Sequence, residues 1–198
     1  MKYYLKKASF SLIYLIFMDA IALGINQIDA KNTALKLILL CVNLAFYIFL
    51  IGSLAFKDGE DALNVRVAND IDRKEMVKTG VVKKLRLTEE YKPYKGFLIG
   101  LVTCIPLIIF MAIHAIFYFS GSEYLGMGAI VDALYNMITS FYKVFVTELN
   151  SIDYFFALIA LPVISLTTGI PYIIGGKRRE RIQLRIEAQQ RELYGDKK

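Results

Sequence analysis

The chain has 198 residues, 56% of them hydrophobic and 21% charged, with 24 Lys and Arg against 18 Asp and Glu for a formal charge of +6. The charges lie almost wholly between apolar runs, a segregation that excludes a soluble globular core and marks a single membrane bundle. The positive balance calls for no nucleic-acid partner, because Lys and Arg beside anionic headgroups account for it. Cys41 and Cys104 both fall inside apolar runs, which argues against a disulfide framework or a zinc site.

The first predicted element covers residues 8–25, an apolar run of about minimal spanning length that carries Asp19 and is preceded by Lys2, Lys6 and Lys7. Ala20-Ile21-Ala22 imitates a signal-cleavage pattern. Asp19 just ahead of it, and apolar character continuing to Ile28, favour an uncleaved helix. The second run, 34–56, is free of charge from Leu37 to Phe56, and the third and fourth, 96–119 and 154–176, contain no Asp, Glu, Lys or Arg. Each of these three reaches the ~20 residues that a helix needs to cross the hydrocarbon core. Unpaired peptide groups are intolerable in lipid, and the runs lack a barrel's alternation, so the spans are helical.

Orientation follows from the cations. Three Lys precede Ala8, ten Lys and Arg lie between Lys57 and Lys95, and eight lie from Lys177 onward. Four crossings put these segments on one face, which the positive-inside rule assigns to the cytoplasm, with both termini inside and the plasma (inner) membrane of a bacterium as the expected location. The expected fold is therefore an all-α integral membrane four-helix bundle with an amphipathic outer helix and a helical cytoplasmic loop and tail.

The loop, 57–95, mixes ten basic with eight acidic residues. Leu63, Val67 and Ile71 recur behind Glu60-Asp61, and Thr79-Gly80 supplies a stop, so one or two short helices are predicted there. Val81 to Leu87 suits a short extended piece. Asp70-Ile71-Asp72 has the spacing of an acidic metal pair, but Arg66 and Arg73 nearby point to salt bridging, and no metal or other cofactor is expected. Tyr91-Lys92-Pro93-Tyr94-Lys95 reads as an aromatic and basic interfacial anchor in a chain with no Trp.

Within the spans, Asp19, Asn43 and His114 fall at depths that would let them meet. As interhelical hydrogen bonding they hold helices together; as a polar cluster they line a path in which His114 titrates and Asp19 is its partner or a cation ligand. Gly96 with Gly100, and Ala20 with Gly24, permit close helix contact within the chain or between copies. On the outer side, Val131, Leu134, Ile138, Phe141 and Phe145 oppose Asp132, Asn136, Thr139 and Lys143 in an amphipathic segment, 124–147, placed at the interface or re-entrant.

The fourth span carries Pro162, Ser165, Thr167, Thr168, Gly169 and Pro171, enough breakers and hydroxyls for an unwound helix with exposed carbonyls, or for a packed kink with its hydroxyls bonded back. The tail, 177–198, reads as an amphipathic helix whose Arg178, Arg179, Arg181 and Arg185 meet anionic lipid or a protein partner. With one His and no nucleophile elbow, phosphate loop or ligand cluster, enzyme chemistry has little support. The leading functional expectation is a non-catalytic scaffold or accessory subunit that shows its loop and Arg-rich tail to a partner or to lipid. The alternative is a small transporter or channel formed as a homo-oligomer.

Overall fold

The computed structural model describes residues 2–28, 33–120 and 153–195, and among these the chain is all-helical, with four helices and no strand. The amphipathic segment expected at 124–147 lies outside the described residues. The helices are α1 (Lys2–Asn26), α2 (Thr33–Thr79), α3 (Lys95–Ser120) and α4 (Asp153–Tyr194). Two of them, α1 and α2, contain stretches long and apolar enough to cross a membrane, and only about a third of those stretches is buried inside the protein.

The helices pack as a ring in the order α1, α2, α4, α3, with each in contact with its two neighbours. Lys7 of α1 meets Asp58 of α2, and Asn43 of α2 meets Met18 of α1, so this pair is antiparallel. The central core joins Leu15, Met18 and Ala22 of α1 to Leu40, Tyr47 and Ile51 of α2, Cys104 and Leu107 of α3, and Ile164 of α4. The outward faces are apolar as well: Phe10, Ile13 and Phe17, Val42, Phe46 and Phe49, and Leu101 and Ile105 are all exposed. On α1 and α2, the helices apolar enough to cross a membrane, such outward faces are suited to lipid contact.

Sequence expectation and structure part at residue 57. The loop does not begin a separate short helix there; α2 runs unbroken through its charged half to Thr79. It stops where expected, at Gly80, whose φ of 71° ends the helix while its N–H still bonds the Met76 carbonyl. Residues 81–86 form no helix or strand. They fold back along α2 through Lys83 to Asp72 and Glu75 and the Arg86 N–H to Asn69 Oδ1, and Glu90 just beyond them is held by Arg73, which also pairs with Asp70 one turn away on α2. Asp70 and Asp72 are thus held by cations, and no metal-holding cluster of His, Cys, Asp or Glu occurs among the described residues.

α4 is likewise continuous from Asp153 to Tyr194, through Pro162 and Pro171 and through the paired Gly175 and Gly176. It lies against α2 at near backbone contact. A Cβ at Gly59 would run into the Tyr172 carbonyl, and one at Gly175 into the Phe56 carbonyl. Arg178 then pairs with Glu60 at 3.2 Å and Arg179 donates to Asn64 Oδ1 at 2.7 Å. These contacts fix the two long helices to each other at the base of their charged halves.

Candidate functional site

The small and hydroxyl residues of α4 serve a packing seam with α3. Ser165 donates to the Phe97 carbonyl at 3.2 Å and Thr168 to the Gly96 carbonyl at 3.0 Å, while Thr167 bonds back to Val163 at 2.8 Å. Gly96 and Gly100 face this seam, since added Cβ atoms would meet Tyr172 at the first and Thr168 and Ser165 at the second. The G-x-x-x-G pattern is therefore used inside the chain. Ala20 and Gly24, by contrast, are exposed, with nothing within 4 Å of a Cβ at Gly24.

Asn43 of α2 is buried and donates to the Met18 carbonyl of α1 at 3.0 Å, and Asp19, the next residue along α1, is also buried, only 1% exposed. His114 lies on the α3 backbone, but its side chain is outside the described residues.

The charged end of the bundle holds a feature that motif reading does not reveal. Residues one helical face apart on α1, Lys7, Phe10, Ser11 and Tyr14, stand opposite Ile51, Leu54, Lys57, Asp58 and Asp61 of α2 and enclose a cavity of about 380 Å³. Its floor comes from Ile99, Thr168 and Tyr172 of α3 and α4. A second cavity, of about 540 Å³, shares Lys7, Asp58 and Asp61 and continues to Lys2, Lys6 and Glu89. The Lys7–Asp58 ion pair is thus a wall common to both.

Asp58 lies just beyond the charge-free run of α2, and burial raises its carboxyl above the ordinary range even though the Lys7 ammonium pulls it down. Ser11 is 5% exposed and its hydroxyl has no hydrogen-bond partner among the described residues. Buried hydroxyls in such a position are satisfied by something else or cost stability.

At the same end of the bundle, Tyr91 stacks on Tyr172 with ring centroids 5.5 Å apart and planes 13° apart, and its edge covers Gly176. Tyr91 is 8% exposed, so it belongs to the core at this end; of the two tyrosines expected to anchor the interface, only Tyr94, at 52%, faces outward. Lys95 is buried, donates to the carbonyls of Thr88 and Glu90 at 2.6 and 2.5 Å, and lies over the Tyr3 ring. Burial, then the neighbouring Lys92, lowers the pKa of its ammonium.

On the outer side of α4, Lys177, Arg178, Arg181 and Arg185 with Ile174 and Ile182 line a basic groove of about 490 Å³. Arg179 is turned instead toward Asn64 of α2. Arrangements of this sort bind charge and apolar surface; no nucleophile and base stand in reach of one another among them. Comparison with known protein families, with curated proteins and with solved structures finds no match.

Proposed function

We propose that the chain is a non-catalytic four-pass membrane protein of the plasma membrane, with both termini cytoplasmic, that holds out a rigid helical platform to a protein partner or to anionic lipid. The observation that carries this reading is the unbroken length of α2 and α4, 47 and 42 residues. At ~1.5 Å per residue they run roughly 70 and 63 Å, about twice the ~30 Å hydrocarbon core. Their charged halves, 57–79 and 177–194, therefore stand clear of the lipid. The glycine contacts and the Arg178–Glu60 pair keep them from moving independently of the spans.

Two surfaces on the platform suit a partner. One is the basic groove of Lys177, Arg178, Arg181 and Arg185, matched to phosphate or carboxylate. The other is the tip beyond it, where Val77, Val81 and Val82 are exposed beside the Lys83 pairs with Asp72 and Glu75. The test compares what co-purifies with the full chain and with a chain lacking 177–198, alongside Arg181→Ala with Arg185→Ala, which spares the Arg178–Glu60 contact. Loss of the same protein or lipid from both variants is expected. An unchanged set of companions would remove the platform's assigned role.

A second reading, a small transporter, draws on the burial of Asp19 beside Asn43. Reconstituted flux that survives Asp19→Asn unaltered excludes it.

A further inference from the structure

We infer that the 380 Å³ cavity between α1 and α2 binds one phospholipid with a zwitterionic headgroup that carries a primary ammonium, a lipid of the ethanolamine type. The inference rests on the four-pass reading, which puts this end of the bundle at the cytoplasmic leaflet. The cavity's size falls in the ~300–1,000 Å³ range of small-ligand sites and suits a headgroup and glycerol, with the acyl chains left outside. Its rim is apolar and exposed at Phe10 and Leu54, continuous with the outward apolar face, so an amphiphile enters sideways without leaving the bilayer.

Charge complementarity selects the headgroup. Four charged side chains line the cavity, and two of them, Lys7 and Asp58, neutralise each other in an ion pair. Lys57 and Asp61 remain, one cation and one anion, four residues apart on the same face of α2. Within this cavity an anionic lipid would satisfy Lys57 and bring its phosphate to the side of Asp61, whose further cations, Lys2 and Lys6, line the adjoining cavity; a cationic amphiphile would do the reverse. A phosphate joined to an ammonium satisfies both. Ser11 lines the cavity, and a turn of its side chain brings its hydroxyl, which has no hydrogen-bond partner among the described residues, to the phosphate or ester oxygens. A primary ammonium also brings N–H donors to Asp61 that a quaternary one lacks, a difference that charge-assisted bonding makes worth about tenfold in affinity.

The experiment uses the full chain in detergent and three lipids of identical acyl composition, with ethanolamine, choline or glycerol headgroups, whose retention is followed by native mass spectrometry. The ethanolamine lipid is expected to be retained about tenfold better than either of the others. Asp61→Asn, at an exposed position that threatens no packing, is expected to erase the preference. Lys57→Ala is expected to weaken all three lipids, and Ser11→Leu to fill the cavity and abolish retention. Equal retention of the three headgroups, or a preference that survives Asp61→Asn, would overturn the assignment. Vesicle flotation separates the two readings: a protein that floats without headgroup preference loses only the lipid site, whereas one that floats with no vesicle loses the four-pass reading and the site together.

Discussion

Replacing Gly59 by alanine isolates the contact on which the rigid platform depends. The added Cβ would fall on the carbonyl of Tyr172 and 3.1 Å from the amide nitrogen of Gly176. Both are backbone atoms, so no side-chain rotation can relieve the clash, and α2 and α4 must move apart. Overpacking of this kind costs ~1–3 kcal/mol, and the absence of a flexible neighbour puts Gly59→Ala near the top of that range. Alanine returns about 1 kcal/mol through its better helix propensity, leaving a net loss of about 2 kcal/mol. Gly175→Ala, whose Cβ would meet the Phe56 carbonyl from the other side of the same crossing, should cost as much. Gly52→Ala is the control, because its Cβ would sit 3.5 Å from Pro171 Cγ in ordinary contact, and it should stay within about 1 kcal/mol of the parent. Reversible unfolding of the full chain in mixed detergent micelles measures all three. If Gly59→Ala proves as stable as Gly52→Ala, the two helices do not meet through their backbones and the platform is not rigid.

Two other perturbations probe the charged end. Lys7→Met leaves the Asp58 carboxylate half-buried without its cation, at a cost of about 2 kcal/mol at pH 7, whereas Asp58→Asn and the double variant should lose less, as a double-mutant cycle by thermal unfolding will show. Burial already holds the Asp58 carboxyl above its unfolded value, so the folded form takes up the proton first and the Lys7→Met penalty should shrink as pH falls from 7 toward 5; a penalty that grows on acidification would contradict it. Tyr91→Ala removes a ring stacked on Tyr172 and should cost about 3 kcal/mol, while Tyr94→Ala at its exposed position should cost under about 0.5 kcal/mol, with equal effects refuting the core assignment of Tyr91.

The helical character of the chain and the apolar stretches of α1 and α2 were readable because they depend on local composition alone. So was the stop at Gly80, where a positive φ follows a helix-compatible run. What escaped reading depends on partners far away in sequence. The change from apolar to charged residues at Lys57 looks like an end to the second helix, yet nothing between Lys57 and Thr79 breaks a helix except Gly59. That glycine is there because α4 lies against it. Tyr91 and Lys95 resemble an interfacial anchor until Tyr172 and Gly176 are placed beneath the ring of the first and two loop carbonyls around the ammonium of the second. The hydroxyls at Ser165 and Thr168 suggest an unwound helix until the Phe97 and Gly96 carbonyls receive them. The cavity residues offered only faint signals: a serine at position 11 of an apolar run, and the i, i+4 pair Lys57 and Asp61.

These long-range contacts share one physical logic. Under the proposed four-pass arrangement, lipid would give little hydrophobic drive for helices to associate, and association would rest on close packing and on hydrogen bonds between them. The α3–α4 seam uses both, with glycine on one helix and hydroxyls on the other. Toward the charged end, the same close approach continues between α2 and α4 at Gly59 and Gly175, and the Arg178–Glu60 ion pair joins it there. α1 is held differently, by Asn43 to the Met18 carbonyl and by the Lys7–Asp58 pair, with no glycine contact to α2. The looser α1–α2 boundary is where the cavity opens and where Ser11 is left without a partner among the described residues. Close-packed on the α2–α4 side and open on the α1–α2 side, the bundle thus separates the edge that sets the direction of its long helices from the edge that holds its cavity.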